Sequence, residues 1–305
     1  MQDPFIKAFD PPVGKAEEIR PGLRRIVAPN ASPMTFRGTN TWLLGESEVA
    51  VIDPGPDNPR HLAAILEALG GRPVSHILVT HSHVDHSPLA RALAARTDAP
   101  VCAFGASDAG RRADMVALGA TGLIGGGEGV DHAFAPDVTL ADGAVLEGAE
   151  WRVEAIATPG HFGNHLCFAW EDAVFTGDHV MSWATTMVSP PDGDLTDFMA
   201  SLEKLRARQG DRVYLPGHGA VLEDPAGMIR HQIAHRRRRE AQILGELVAG
   251  PADPETLTRR IYTDLDPRLR PAAARNVLAH LIDLHRRGRV ATEGALAADA
   301  LFFLV

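Results

Sequence analysis

Thr80-His81-Ser82-His83-Val84-Asp85-His86 sets three imidazoles and a carboxylate within six residues, directly behind the apolar run Ile77-Leu78-Val79. Residues 75–79 are rich in β-branched and apolar side chains without helical spacing, so they read as a short buried strand. Downstream, residues 88–95 read as a helix with Ser87 as N-cap and Pro88 at its first position. The cluster therefore sits at a strand's carboxyl end, held between two regular elements. One histidine in a turn is ordinary, whereas four ligand-type residues at this spacing are not. His81 and His83, two apart in an extended turn, can aim at one point while Asp85 and His86 come round toward a second, a geometry suited to two adjacent metal ions.

The pattern H-x-H-x-D-H resembles the first motif of the metallo-β-lactamase superfamily, and the rest of the chain supplies matches to the others. Thr158-Pro159-Gly160-His161 matches the second, Gly177-Asp178 the third, and Gly217-His218-Gly219 the last, each behind a run that reads as a strand. The resemblance implies one site made by His81, His83 and His161, another by Asp85, His86 and His218, and Asp178 bridging them. It implies two Zn2+ ions, with Mn2+ or Fe2+ as alternatives. Asp85 and Asp178 are then the catalytic carboxylates, fixing the ions and orienting a metal-bound hydroxide. Asp53, in Asp53-Pro54-Gly55, resembles the superfamily's early aspartate and is expected to support the site rather than ligate. True metallo-β-lactamases of the first group carry a cysteine where this chain has Asp178, which sets it apart from them.

Between the motifs, residues 18–27 read as one extended segment, residues 39–44 and 48–55 as a hairpin, and residues 59–69 as a helix. Two further runs, Leu166-Cys167-Phe168-Ala169-Trp170 and Ala173-Val174-Phe175-Thr176, form a second hairpin. The glycine-rich stretch 119–129 lacks the strand-to-helix context of a phosphate loop and is expected to be a flexible rim of the cleft. Cys102 and Cys167 lie in apolar runs and read as free buried thiols rather than a disulfide framework.

The 305 residues are 45 % hydrophobic and 23 % charged, room for one large and one small domain. No stretch has the apolar length of a signal peptide or a membrane span, so a cytoplasmic protein with no membrane partner is expected. Charge is unevenly shared: residues 228–305 hold 13 arginines, no lysine and 9 carboxylates, in a chain whose net charge is −9. That tail reads as a long helix over 228–248, two shorter helices and a terminal hairpin, together a winged helix. Its His235-to-Leu244 run resembles the endoribonuclease-like β-lactamase-like protein 2 group of the superfamily. The resulting expectation is an α/β chain: a metallo-β-lactamase αβ/βα four-layer sandwich over residues 1–227, followed by a small winged-helix domain over 228–305.

The function expected first is a phosphodiesterase or endoribonuclease acting on single-stranded RNA, which the tail's arginines, Arg236 and Arg239 among them, would steer. The alternative is hydrolysis of a small carboxylic ester, lactone or thioester in an apolar pocket walled by Trp183, Met187, Pro190 and Pro191, with His165 expected either behind the ligands or in the cleft, where it would touch substrate. A DNA-binding regulator with a vestigial metal site is a third reading. A homodimer through the tail helix is a further expected partner.

Overall fold

The computed structural model describes residues 4–305. Two sheets face each other. The first runs in the order β1 (Ala16–Arg20), β2 (Leu23–Val27), β3 (Asn40–Leu44), β4 (Val49–Ile52), β5 (Val74–Leu78), β6 (Val101–Ala103) and β7 (Val138–Thr139). The second is β8 (Val145–Glu147), β9 (Arg152–Ala157), β10 (Leu166–Trp170), β11 (Ala173–Gly177) and β12 (Val213–Pro216), again edge to edge. Strands β4 to β7 pair in parallel, as do β11 and β12, while the remaining neighbours are antiparallel. The segment expected as one extended piece at 18–27 is a hairpin, because Pro21-Gly22 turns the chain and Arg20 pairs with Leu23.

Alternation along each strand sorts side chains into layers. From β10, Leu166, Phe168 and Trp170 enter the core between the sheets with Trp42, Ile52, Leu78 and Phe175. Its other face sends Cys167 and Ala169 outward, against α4 (Leu195–Ala207) and the start of α5 (Pro225–Leu247). On the far side, α1 (Pro59–Leu69) and α2 (Leu89–Thr97) cover the first sheet through Ile65, Leu69, Leu89 and Leu93. Strands buried on both faces explain the unbroken apolar runs in the sequence. The two thiols are free and buried, as expected.

Helix α2 starts at Leu89, one residue late, and Ser87 does not cap it: its Oγ bonds Asp131 Oδ2 at 2.7 Å and the His83 carbonyl at 3.2 Å. After α3 (Ala113–Ala120) the glycine-rich stretch is pinned rather than loose. Gly127 N donates to Asp192 Oδ2 at 2.7 Å, Val84 N donates to the Gly129 carbonyl at 2.8 Å, and Ile124 is fully buried.

The tail adds α6 (Pro254–Ile261), α7 (Arg270–Arg286) and the hairpin of β13 (Val290–Thr292) with β14 (Phe302–Leu304). Its core joins Ile243, Leu257, Leu281 and Phe302 and takes in Met115 and Ile124 from the larger domain. The boundary expected at 227 falls inside α5, whose Met228, Ile229 and Ile233 pack in the layer over the second sheet. No helix among the described residues is long and apolar enough to cross a membrane.

His61 of α1 is fully buried, held by Thr41 Oγ1 at 2.8 Å, and burial pushes its pKa down to about 4. A folded-state value below the unfolded one of about 6.5 means protons favour the unfolded chain as pH falls. Stability contributed by neutral His61 is complete above pH 6.5 and declines as pH drops toward 4, by on the order of 3 kcal/mol. Thermal melts should show this loss diminished in His61→Gln, and an identical pH profile would remove His61 as its source.

Candidate metal centre and its cleft

The cluster forms where four strands of the two facing sheets end. β5 delivers residues 80–86, β9 leads to His161, β11 to Asp178 and β12 to His218. Three groupings of side chains have ligand atoms within 4.8 Å of one another: His81, His83 and His161; His81, His86 and Asp178; and Asp85, His86 and His218. All seven residues expected from the motifs are thus brought together.

Hydrogen bonds behind the cluster fix which ring nitrogens face it. His161 Nδ1 donates to the Met187 carbonyl at 2.7 Å and His218 Nδ1 to the Gly38 carbonyl at 3.1 Å. Asp53 Oδ2 lies 2.9 Å from His86 Nδ1 and accepts the Thr80 hydroxyl at 2.7 Å, which leaves Thr80 Oγ1 to accept from His81 Nδ1 at 3.0 Å. Each of these four rings is therefore protonated at Nδ1 and turns Nε2 inward. His83 presents Nδ1, which lies 2.9 Å from His81 Nε2 and 3.1 Å from His161 Nε2. Asp53 holds the supporting place expected for it. A left-handed backbone, φ +50°, with Thr80 N donating to Oδ1 at 2.7 Å, aims its carboxylate at His86.

Asp178 spans the groupings. Its Oδ1 is 3.5 Å from His86 Nε2, and its Oδ2 is 3.4 Å from His218 Nε2 and 3.7 Å from His161 Nε2. Asp85 Oδ2 approaches His218 Nε2 at 3.1 Å and His86 Nε2 at 3.5 Å. Burial disfavours charge on every imidazole here. It prevails at His81 and at His83, pushed down to about 3 with His161 adding to the effect. At His86 and His218 the carboxylates of Asp85 and Asp178 outweigh burial, raising His86 well above its usual range and His218 to about 10. His86 Nε2, His218 Nε2 and Asp178 Oδ1 are nonetheless buried with no hydrogen-bond partner. Inward ring nitrogens, buried carboxylates and unpartnered polar atoms fit divalent metal ions.

Close packing leaves no slack around these atoms. A Cβ on Gly217 would stand 2.6 Å from Asp178 Oδ1 and 2.7 Å from His86 Cε1. Gly217→Ala is expected to displace Asp178 and weaken metal binding by roughly 10- to 100-fold, comparable to losing a group that orients a ligand. Competition with a chelator measures this, and unchanged affinity would show that the centre has room to shift.

Sequence reasoning missed the groups that hold the loops. Asn40 Nδ2 donates to the carbonyls of Pro216 and Gly219, each at 2.9 Å, bracketing His218. Asn164 accepts from Ser82 N at 3.3 Å and donates to Ser82 Oγ at 3.0 Å. Behind Asp178, residues 186, 188 and 189 are gripped from the tail. Arg236 Nη2 donates to the Thr186 carbonyl, and Asn276 Oδ1 accepts from Val188 N and from Arg236 Nη1, each at 3.0 Å. Arg275 Nε reaches Ser189 Oγ at 2.9 Å. Between them, Met187 carries the carbonyl that orients His161, and Thr186 Oγ1 donates to the Asp178 carbonyl at 2.8 Å. Only the inward periodicity of Arg236 along α5 hinted at this.

A cleft of about 240 Å³ opens from His161 and Asp178. Its walls include Met34, Trp183 and Met187 from the larger domain and Leu265, Leu269 and Ala273 from the tail. Trp183 lies where a pocket wall was expected, stacked on Phe36 at 4.9 Å between ring centroids. Pro190 and Pro191 are absent from the wall, since Pro191 packs against the glycine-rich stretch. Of the two places expected for His165 it takes the one behind the ligands and not the cleft: it is fully buried beside His81, and its Nδ1 pairs with Thr158 Oγ1 at 2.8 Å. Arg236, expected on a steering face, is 4 % exposed and forms part of the cleft wall. Arg239 folds over the Tyr262 ring at 3.8 Å.

Comparison with known proteins agrees with this architecture. The family described as the metallo-beta-lactamase superfamily matches residues 34–218, and the beta-lactamase associated winged helix domain matches residues 254–298. A beta-lactamase-like protein 2 homolog of Drosophila melanogaster is 33 % identical over 297 residues, 92 % of each chain. An atrochrysone carboxyl ACP thioesterase of Aspergillus fumigatus is 31 % identical over 242 residues, 77 % of this chain and 67 % of that protein. A metallo-beta-lactamase family protein from Thermus thermophilus superposes with a TM-score of 0.75 at 25 % identity, covering 94 % of this chain and all of that one.

Proposed function

Since the chain belongs to the metallo-β-lactamase superfamily, carries the winged helix associated with it and is a hydrolase with an intact His/Asp metal site, we propose that it cleaves a carboxylic thioester or ester with an apolar acyl group, using two zinc ions. The observation that carries this reading is the cleft, whose wall beside His161 and Asp178 is built from Met34, Trp183, Met187, Leu265 and Leu269. Such a wall favours an acyl chain over a run of RNA phosphates, which needs several exposed cations, whereas Arg236 is the one arginine among the described residues lining the cleft. The thioesterase among its relatives supports the same choice.

His81, His83 and His161 would hold one ion, Asp85, His86 and His218 the other, and Asp178 would reach both. Ions there would supply Lewis acidity and lower the pKa of water from about 15.7 to about 7. Asp85, whose side chain is 21 % exposed against 10 % for Asp178, is the more accessible of the two carboxylates, while Asp178 is the one that borders the cleft. The apolar wall holds the acyl chain and keeps bulk water out. A thiol leaves as thiolate without a proton donor, its pKa being about 8.5. That suits a cleft in which His235 is kept neutral, pushed down to about 3 by burial and by Arg236 and Arg239.

Metal-loaded protein offered an aliphatic thioester, a phosphodiester and single-stranded RNA is expected to turn over the thioester at least about 100-fold faster, as kcat/KM, than either phosphate substrate. RNA cleavage without thioester turnover would overturn this reading and restore the endoribonuclease.

A further inference from the structure

One part of the cleft wall, made by His235, Arg236 and Asn276, is polar, and Gln232 and Arg239 stand beside it without lining the cleft. Gln232, His235, Arg236 and Arg239 are spaced three or four apart on α5, so they share a face, turned toward Asn276 and His280 of α7. Gln232 is 0 %, His280 1 % and Arg236 4 % exposed. Yet both polar atoms of Gln232, both ring nitrogens of His280, Nδ1 of His235, Nε of Arg236, and Nε and Nη1 of Arg239 are buried without a hydrogen-bond partner. Native interiors leave few such groups, and a concentration of them marks the place of something bound.

The charge is equally one-sided. Among the described residues no carboxylate lies within ion-pairing distance of Arg236 or Arg239, although Arg237 and Arg287 beside them have acidic partners. Arg239 has the Tyr262 ring, and Arg236 lies over Phe198 at 5.0 Å and bonds only neutral oxygens. Burying a guanidinium without a counter-charge is costly. Arg236 is buried and Arg239 half-buried, with the neighbouring imidazoles of His235 and His280 held neutral by burial and by the same arginines. His235, Arg236, Tyr262 and Asn276 all border the cleft that ends at His161 and Asp178.

We propose that this stretch of wall is an anion subsite, which holds a carboxylate or phosphate group of the substrate through Arg236, Arg239 and His235 while the scissile carbonyl lies at the metal ligands. Its use on a thioester rests on the reading above. The subsite itself rests on the unpaired charge. The anion belongs either to the far end of the acyl group or to the thiol that carries it, and both sources place it on the same arginines.

Two measurements test this. The first compares kcat/KM for three thioesters: valeryl and glutaryl groups on N-acetylcysteamine, and valeryl on pantetheine 4′-phosphate. One charged substrate should exceed the uncharged one by about tenfold or more, the scale of a hydrogen bond to a charged group. Which one exceeds it identifies the source. Arg239→Gln and Arg236→Gln should shrink that ratio, and Arg236→Lys should largely retain it. Equal losses on charged and uncharged substrates would mean that the arginines only position the loop, and would overturn the subsite. The second measurement uses no substrate. Trp183 borders the cleft, whereas Trp42, Trp151 and Trp170 are at most 6 % exposed. Iodide should therefore quench fluorescence more strongly relative to neutral acrylamide in the wild type than in Arg239→Gln. An unchanged iodide-to-acrylamide ratio counts against the subsite. A lowered one, with no thioester hydrolysed, upholds the subsite and discards the thioester.

Discussion

Asp178→Ala is expected to reduce turnover of any substrate by on the order of 10³-fold or more while leaving the chain folded. Among the described residues, Asp178 is the one carboxylate whose oxygens approach His86, His161 and His218 together, at 3.4 to 3.7 Å. Without it, His161 and His218 lose their common anionic neighbour, and ions at the two groupings would repel one another with no charge between them. Metal content should fall with activity, so the variant should be assayed by atomic absorption alongside kinetics and thermal melting. The layers around Asp178 are apolar and independent of its charge, so loss of fold is not the expected cause. Wild-type turnover in a folded, fully metallated variant would show that Asp178 does not join the two groupings.

The second large effect concerns the tail. All seven ligands precede residue 228, which invites the idea that residues 228–305 can be removed without touching the chemistry. The structure argues otherwise. Truncation after Gly227 would take away Ile229 and Ile233 from the layer over the second sheet, together with Arg236, Asn276 and Arg275, which hold Thr186, Val188 and Ser189. Small thioester and phosphodiester hydrolysis is therefore expected to be lost along with any polymer binding. Asn276→Ala isolates the effect from wholesale unfolding, since it strips one partner from Val188 N and one from Arg236. It should weaken metal binding by about 10- to 100-fold through the misplaced Met187 carbonyl, with a comparatively small drop in melting temperature. Full metal affinity in Asn276→Ala, or ester hydrolysis persisting in a folded truncation, would separate the tail from the centre after all.

The ligands could be read from the chain because each is a chemically distinctive side chain at the end of an apolar run, and chain-local spacing decides which of them converge. The layers followed from runs such as Leu166-Cys167-Phe168-Ala169-Trp170, apolar because both faces of the strand are covered. Contacts between distant residues left no local trace. The grip on residues 186–189 joins side chains 50 to 88 positions away, and Asn40 reaches the loop of His218 across the sheets. The arginine run 236–239 misled because charge runs usually face solvent. Helical periodicity turns Arg236 inward with Gln232 and Ile233 and leaves Arg237, 71 % exposed at its side chain, outside. Ser87 shows the same limit at short range, since an aspartate 44 residues away claimed the hydroxyl meant for a cap.

Helix α5 runs unbroken from Met228, in one apolar layer, to Leu247, in the other. An uninterrupted helix has no hinge, so the winged helix cannot swing aside as a rigid lid. The cleft past Met34, Trp183 and Leu265 is then the way to the metal ligands, and amide exchange along α5 should proceed by opening of the whole molecule rather than of the tail alone.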